Sequence, residues 1–465
     1  MNNKNTNRQH AIVMGGSLGG LLTARVLSSH FDRVTILERD PVADRPEARK
    51  GQPQARHLHG LLATGLQLMT RYFPDLPQAL VANGAIVVDV AESMHWFSYG
   101  GYRKKFKMGI DAAVMSRPLL EYLIRQRVLA LPNVTLHDNT AVRHLLTTPA
   151  KDRITGVVLE RRKIGTGSVT LAADLVVDCT GRGSRTPHSL EKLGYDAPPE
   201  SIVKIHVGYA TRLYKRNPAD PRGKSWLLIT PDAPKESRFG GIFPIEGDRW
   251  ICSLGGWLGD HAPQDEAAFL AFARDLPAPD IYDIISQAEP ISDIIPHKFP
   301  HSLRRHYEKL HRFPEGFLVL GDAISSFNPT YGQGMTSAAL QAAELDDLLA
   351  KRPTTDRIAP AFFTRASKVI GIPWQLAVGE DFRFPETTGP KPAGIDFINR
   401  YGSRVQRATL HDEVVGEAFL KVMSLMAPPT SLFHPRILWR VLRGRPSQTK
   451  KVMGFRGPLN PKPTQ

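Results

Sequence analysis

The sequence predicts an α/β fold in which a discontinuous nucleotide-binding domain carries an inserted β-rich domain and ends in a helical C-terminal region. Three observations predict it. A glycine turn, Gly15 to Gly20, joins an apolar strand to a helix near the N-terminus. Residues 199–256 are β-rich, with aromatics at alternating positions. Far downstream a second strand (317–320) and a second helix (334–349) repeat the opening pattern.

The elements follow in order. Residues 10–14 form a short apolar run, 18–29 carry helical periodicity and 33–37 are β-branched and apolar, giving strand, helix, strand. Residues 39–56, rich in Arg, Pro and Gln, read as a loop, and 58–72 as a helix. A further helix spans 118–131, with Pro118 suited to its first turn. Strand-like runs, broken by the hairpin signal Gly165-Thr166-Gly167, end in 172–178. Helices are expected around 265–274 and 279–287, and Pro428-Pro429 breaks the last helical stretch. The nucleotide-binding domain is thus expected in three parts, 1–90, 111–195 and 306–385. A substrate domain comprises 91–110 and 196–305, and 386–465 is helical with a basic tail.

Composition narrows the class. The 465 residues exceed one ordinary core, so two or three packed units are expected. Cys179 and Cys252 stand far apart in apolar runs and build neither a disulfide framework nor a Cys-rich metal site. A polar N-terminus and the lack of any run of about 18 apolar residues predict a soluble, cytoplasmic protein. The net charge is +15, and residues 434–465 hold eight Lys/Arg and no acid. Such a tail is a solvated surface or a peripheral membrane contact. Nucleic acid is excluded as a partner, because no recognition motif or aromatic-interleaved basic stretch accompanies the charge.

The turn "AIVMGGSLGGLLTARVL" fits the dinucleotide fingerprint of a Rossmann-type domain, with Gly15, Ser17 and Gly20 at its three glycine positions. Gly15 permits the tight turn, Ser17 and Gly19 sit where the backbone approaches a pyrophosphate, and Gly20 lets helix and strand pack closely. The helix N-terminus turns its free N–H groups toward the phosphates. Glu38, followed by Arg39, ends the second strand where an acid should bond a ribose hydroxyl, which suits FAD or NAD rather than NADP.

Further segments carry a resemblance. "GFLVLGDAISSFNPTYGQGMTSAALQAAELDDLL" resembles the flavin-dependent aromatic hydroxylases and epoxidases of the para-hydroxybenzoate hydroxylase-like (group A) family. The resemblance implies one FAD, with Asp322 on its ribityl chain and the turn Pro329, Gly332, Gly334 and Met335 against its ring. The helix from Gly334 would then steady negative charge on the reduced flavin. Thr336 stands where many relatives have Asn. "ADLVVDCTGRGSRTP" is similar to the family's Asp-Gly segment, with Thr180-Gly181 in place of that pair, Ser184 matching and Pro187 where Arg is usual. Arg117 matches the family's Arg at a helix start, and Arg56 is placed on FAD phosphate or ribityl oxygens. Gln54, His57 and His59 could face flavin or substrate; the two histidines lack a third metal ligand, so no metal is expected.

Only one fingerprint is present, and there is no Cys-x-x-Cys pair, so a second nicotinamide domain and disulfide redox chemistry are disfavoured. The resemblance implies a monooxygenase that inserts one atom of O2 into a small apolar aromatic or alkene substrate through a flavin C4a-hydroperoxide. The altered Thr180-Gly181 leaves NAD(P)H or a separate flavin reductase as electron source. No base is evident, so hydroxylation and epoxidation both stand. The insert's aromatics, Trp226, Phe239, Phe243, Trp250 and Trp257, would form the substrate cover, and the pocket is placed at His59, Phe243, Pro244 and Trp250. Two alternatives are a prenyl-chain (geranylgeranyl-type) reductase and a non-catalytic FAD-binding protein. A halogenase is disfavoured by the lack of a Trp-x-Trp-x-Ile-Pro signature.

Overall fold

A computed structural model describes residues 8–161 and 169–443. The hairpin signal Gly165 to Gly167 and the tail from residue 444 onward lie outside the described residues. Five short strands form a parallel sheet in the order Phe317–Val319, Leu175–Asp178, His10–Met14, Arg33–Leu37, Val134–His137. Their sequences are nearly continuous apolar runs because both faces are covered, by helices and by the antiparallel strands Thr140–Thr147 and Ile154–Arg161. Helix Leu18–Ser28 makes the first crossover and packs against helix Gly334–Ala350. The first strand pairs with Leu175–Asp178, which in turn pairs with Phe317–Val319, so three distant stretches of the chain lie side by side in one sheet.

An eight-stranded sheet stands beside it, in the order Ser325–Ser326, Ile295–Arg305, Glu200–Lys215, Arg249–Gly256, Arg238–Ile245, Trp226–Ile229, Met94–Ser98, Gly101–Tyr102. Strand alternation gives this sheet two different faces. Ala210, Leu227, Ile242, Trp250, Cys252 and Leu254 pack with helices Glu266–Arg274 and Asp280–Ile285 in one apolar core. Leu213, Trp226, Leu228, Phe243 and Ile251 face the other way, into a core shared with helices Ile395–Ala408, Glu413–Met423 and Pro435–Arg443. A long helix, Ile358–Asp381, precedes those three. Among the described residues no helix is long and apolar enough to cross a membrane.

One expected boundary moves. The helix expected from residue 58 begins at Ala63, because Gly60–Leu61 pairs with strand Asp111–Val114 and the Leu58 N–H is drawn to Ser253 Oγ at 3.3 Å.

Candidate active site

The glycine turn is built as its spacing requires. Gly15 sits at φ +103°, and a Cβ there would lie 2.6 Å from the Cys179 carbonyl oxygen. A Cβ on Gly20 would lie 1.8 Å from the Gly15 carbonyl oxygen, so the first helical turn rests directly on the strand end. Ser17 caps the helix without a side-chain bond to its N–H groups, which leaves those donors for a ligand.

The Glu38 carboxylate accepts the Gly16 N–H at 2.9 Å and the Asp40 N–H at 3.0 Å, and lies 3.1 Å from Arg49 Nη1. Arg49 also bonds Glu121, which accepts from Gln52 Nε2 and from Ser17 Oγ at 3.1 Å. Arg117 adds a 3.8 Å contact to Glu121 and donates weakly to Ser17 Oγ. Arg49 and Glu121 are both buried, so this acid–base cluster braces the turn from behind. The sequence reading missed both residues. It placed Arg56 on FAD phosphate or ribityl oxygens; Arg56 instead is exposed on the short 3-10 turn Pro53–Arg56 and is not among the residues that line the cavity. The local signal was ambiguous, since the loop offers several arginines and only the chain's return buries one.

In front of the turn lies a cavity of about 830 Å³, within the size range of cofactor and ligand sites. Ser17, Gly19, Arg39 and Arg117 line one end, Asp322, Pro329, Gly332, Gly334 and Met335 the middle, and Thr180 to Gly183 the side. Asp322 is open to the cavity yet enclosed by protein. That enclosure pushes its carboxyl above the ordinary carboxylate range, while Arg117 and Arg182 pull it back. Gly332 turns at φ +67°, and a Cβ on Gly332 or Gly334 would meet nothing within 4 Å, so both backbones border open space. A buried, unpartnered Arg117 Nε and this open glycine cradle fit a long dinucleotide with a flat end group.

The far end is apolar. Met94, Trp96, Trp226, Leu228 and Phe243 come from the eight-stranded sheet, and Phe419, Leu420 and Met423 from helix Glu413–Met423. Arg103 lies between the rings of Trp96 (3.6 Å) and Phe419 (4.2 Å) and ties the helix to the sheet. His59 also lines the cavity; burial pushes its imidazole down to about 4, with Arg117 adding to the effect. Phe239 and Trp257 line it as well. Two expected pocket residues do not. Trp250 and Pro244 are buried on the opposite face of the sheet, because each stands one residue out of phase with Ile251 and Phe243. The sequence showed the aromatics but not the phase.

Asp178 explains the altered segment. Its carboxylate accepts from the Thr180 N–H and from the hydroxyls of Thr180, Ser184 and Thr186, so the substituted turn is fully bonded and presents Thr180 and Gly181 to the cavity.

No family model matches the chain. Protein Rv3254 of Mycobacterium tuberculosis is 34% identical over 444 residues, covering 90% of each chain. Kynurenine 3-monooxygenase of Salinispora tropica is 23% identical over 383 residues, covering 75% of this chain and 74% of its own. Among solved structures, a triple mutant of the flavin-dependent brominase Bmp2 superposes with a TM-score of 0.62 at 13% identity, covering 93% of this chain and 99% of its own.

Proposed function

The chain belongs to the family of Protein Rv3254, and from that premise we propose that it is an FAD-dependent group A monooxygenase that inserts one oxygen atom from O2 into an apolar aromatic or alkene substrate. The observation that carries this reading is the single continuous cavity, which runs from the glycine turn past Asp322 and Gly334 to a wall of aromatic and aliphatic side chains. On this reading FAD is the cofactor, and when bound it would supply the oxygen-activating redox chemistry.

The residues divide the work of holding it. Ser17, Gly19 and the helix N-terminus would take the pyrophosphate, with Glu38 on a ribose and Arg39 and Arg117 beside the phosphates. Asp322 would bond the ribityl chain, and Pro329, Gly332, Gly334 and Met335 would border the ring. The apolar wall, with Phe243 and His59, would position the substrate and exclude water. On this reading the eight-stranded sheet and residues 91–110 make up the substrate domain, and the C-terminal helices close it.

Oxygen-18 gas supplied to the enzyme with reductant and candidate substrates tests the proposal: labelled product is expected, and unlabelled reduced product would replace the reading by the prenyl-chain reductase. That second reading is favoured by Thr180-Gly181 at the cavity side, which also leaves open NAD(P)H or a separate reductase as electron donor. The likeness to a brominase at 13% identity carries the fold alone.

A cytoplasmic enzyme with peripheral membrane contact fits the surface of helix Pro435–Arg443. Its Ile437 and Val441 are buried, whereas Trp439 and Leu442 are 55% and 57% exposed beside Arg436 and Arg443. Arg440 is spent on Asp412 at 2.8 Å.

A further inference from the structure

Within the apolar half of the cavity one wall residue is polar and wired to others. Ser253 is buried, lines the cavity and stands among Phe239, Gly241 and Phe243 on the inward face of the sheet. Its Oγ accepts the Leu58 N–H at 3.3 Å and lies 2.5 Å from Thr211 Oγ1. Thr211 Oγ1 in turn lies 2.8 Å from His57 Nδ1. His57 Nε2 is buried with no hydrogen-bond partner.

That orphan sets the direction of the chain. Burial holds the His57 imidazole down at about 3, so the ring is neutral and carries one proton. A proton on Nε2 would bury an N–H donor with nothing to accept it, whereas a bare Nε2 leaves only an unused lone pair, the cheaper omission. The proton therefore sits on Nδ1 and is donated to Thr211 Oγ1. The Thr211 hydroxyl then donates to Ser253 Oγ. With two donors already directed at its oxygen, Ser253 has its own O–H left over, facing the cavity.

We propose that Ser253 is a fixed hydrogen-bond donor for the substrate, and that the substrate carries an acceptor oxygen, of carbonyl or phenolate type, on an otherwise apolar frame. This rests on the oxygenase reading above and narrows its substrate class, because a plain hydrocarbon would leave the Ser253 hydroxyl without a partner.

The test uses oxidised, FAD-loaded enzyme titrated with 1-tetralone and with tetralin, binding being read from the perturbation of flavin absorbance. Relative to Ser253→Ala, the wild type should favour the ketone over the hydrocarbon by about tenfold more, as one hydrogen bond is worth. Ser253→Thr should keep the preference, and the tetralin affinity should be alike in all three proteins. A yellow Ser253→Ala protein with an unchanged ketone-to-hydrocarbon ratio overturns the donor assignment alone. A wild-type protein that takes up no FAD, or whose flavin responds to neither probe, overturns the proposed function and this inference with it.

Discussion

The carboxylate of Asp381 accepts the phenolic hydroxyl of Tyr331 at 3.0 Å, joining the end of the long helix Ile358–Asp381 to the turn that lines the middle of the cavity. The same Oδ1 accepts from Asn328 Nδ2 at 2.8 Å and Trp257 Nε1 at 3.3 Å, while Oδ2 is buried without a partner. Burial pushes this carboxyl up to about 7 from its ordinary 3.8, against the pull of its three donors. The folded protein therefore holds a proton that the unfolded chain releases, and stability contributed by Asp381 is lost as pH rises from about 4 to about 7. In Asp381→Asn that portion of the pH dependence should vanish. Thermal melts of both proteins across this range check it, and parallel curves would refute it.

Arg49 neutralises two buried acids, Glu38 and Glu121. Arg49→Leu leaves both uncompensated and should cost about 3–5 kcal/mol of stability. Denaturant unfolding measures this, and Arg56→Leu, at an exposed position, serves as the control expected to change little.

Gly20 and Gly334 should respond in opposite ways to alanine. Gly20→Ala drives a methyl into the Gly15 carbonyl and should destabilise the fold by about 1–3 kcal/mol or more. Gly334→Ala meets only open space and should leave the apoprotein's stability within about 0.5 kcal/mol. It should nonetheless weaken FAD binding, since the methyl enters the cavity. Melting temperature and flavin content of the two purified variants separate these effects.

Asp322→Ala should be folded and colourless. A fully yellow preparation, judged by flavin absorbance, would remove Asp322 from the cofactor site.

Trp439 and Leu442 project outward from their helix, so the double alanine variant should keep its melting temperature. Its pelleting with phosphatidylglycerol vesicles should fall several-fold, and equal pelleting would dismiss the membrane contact.

What the sequence disclosed follows from what is local. The glycine turn and the segment from Asp322 to Gly334 are short runs whose backbone geometry their own residues dictate, and the structure brings Ser17, Gly19, Asp322 and Gly334 to one cavity, with Glu38 bonded to the back of the turn. Arg49, Glu121 and Ser253 were not legible, because each acquires its role from a partner 42 to 72 residues away. Trp250 and Pro244 misled for a related reason. A one-residue phase decides the face of a strand, and phase is set by sheet packing that no short run records.

Gln333, between the two cavity glycines, donates from Nε2 to the Met423 carbonyl at 3.2 Å. The turn is thereby fastened to the last residue of a helix 90 positions downstream. A ribosome-bound chain thus cannot complete its cofactor pocket when the strands and turns of that pocket have emerged. It must wait for residue 423, and a premature stop between the end of helix Gly334–Ala350 and that residue would release a protein with every fingerprint present and the turn at Gln333 unlatched.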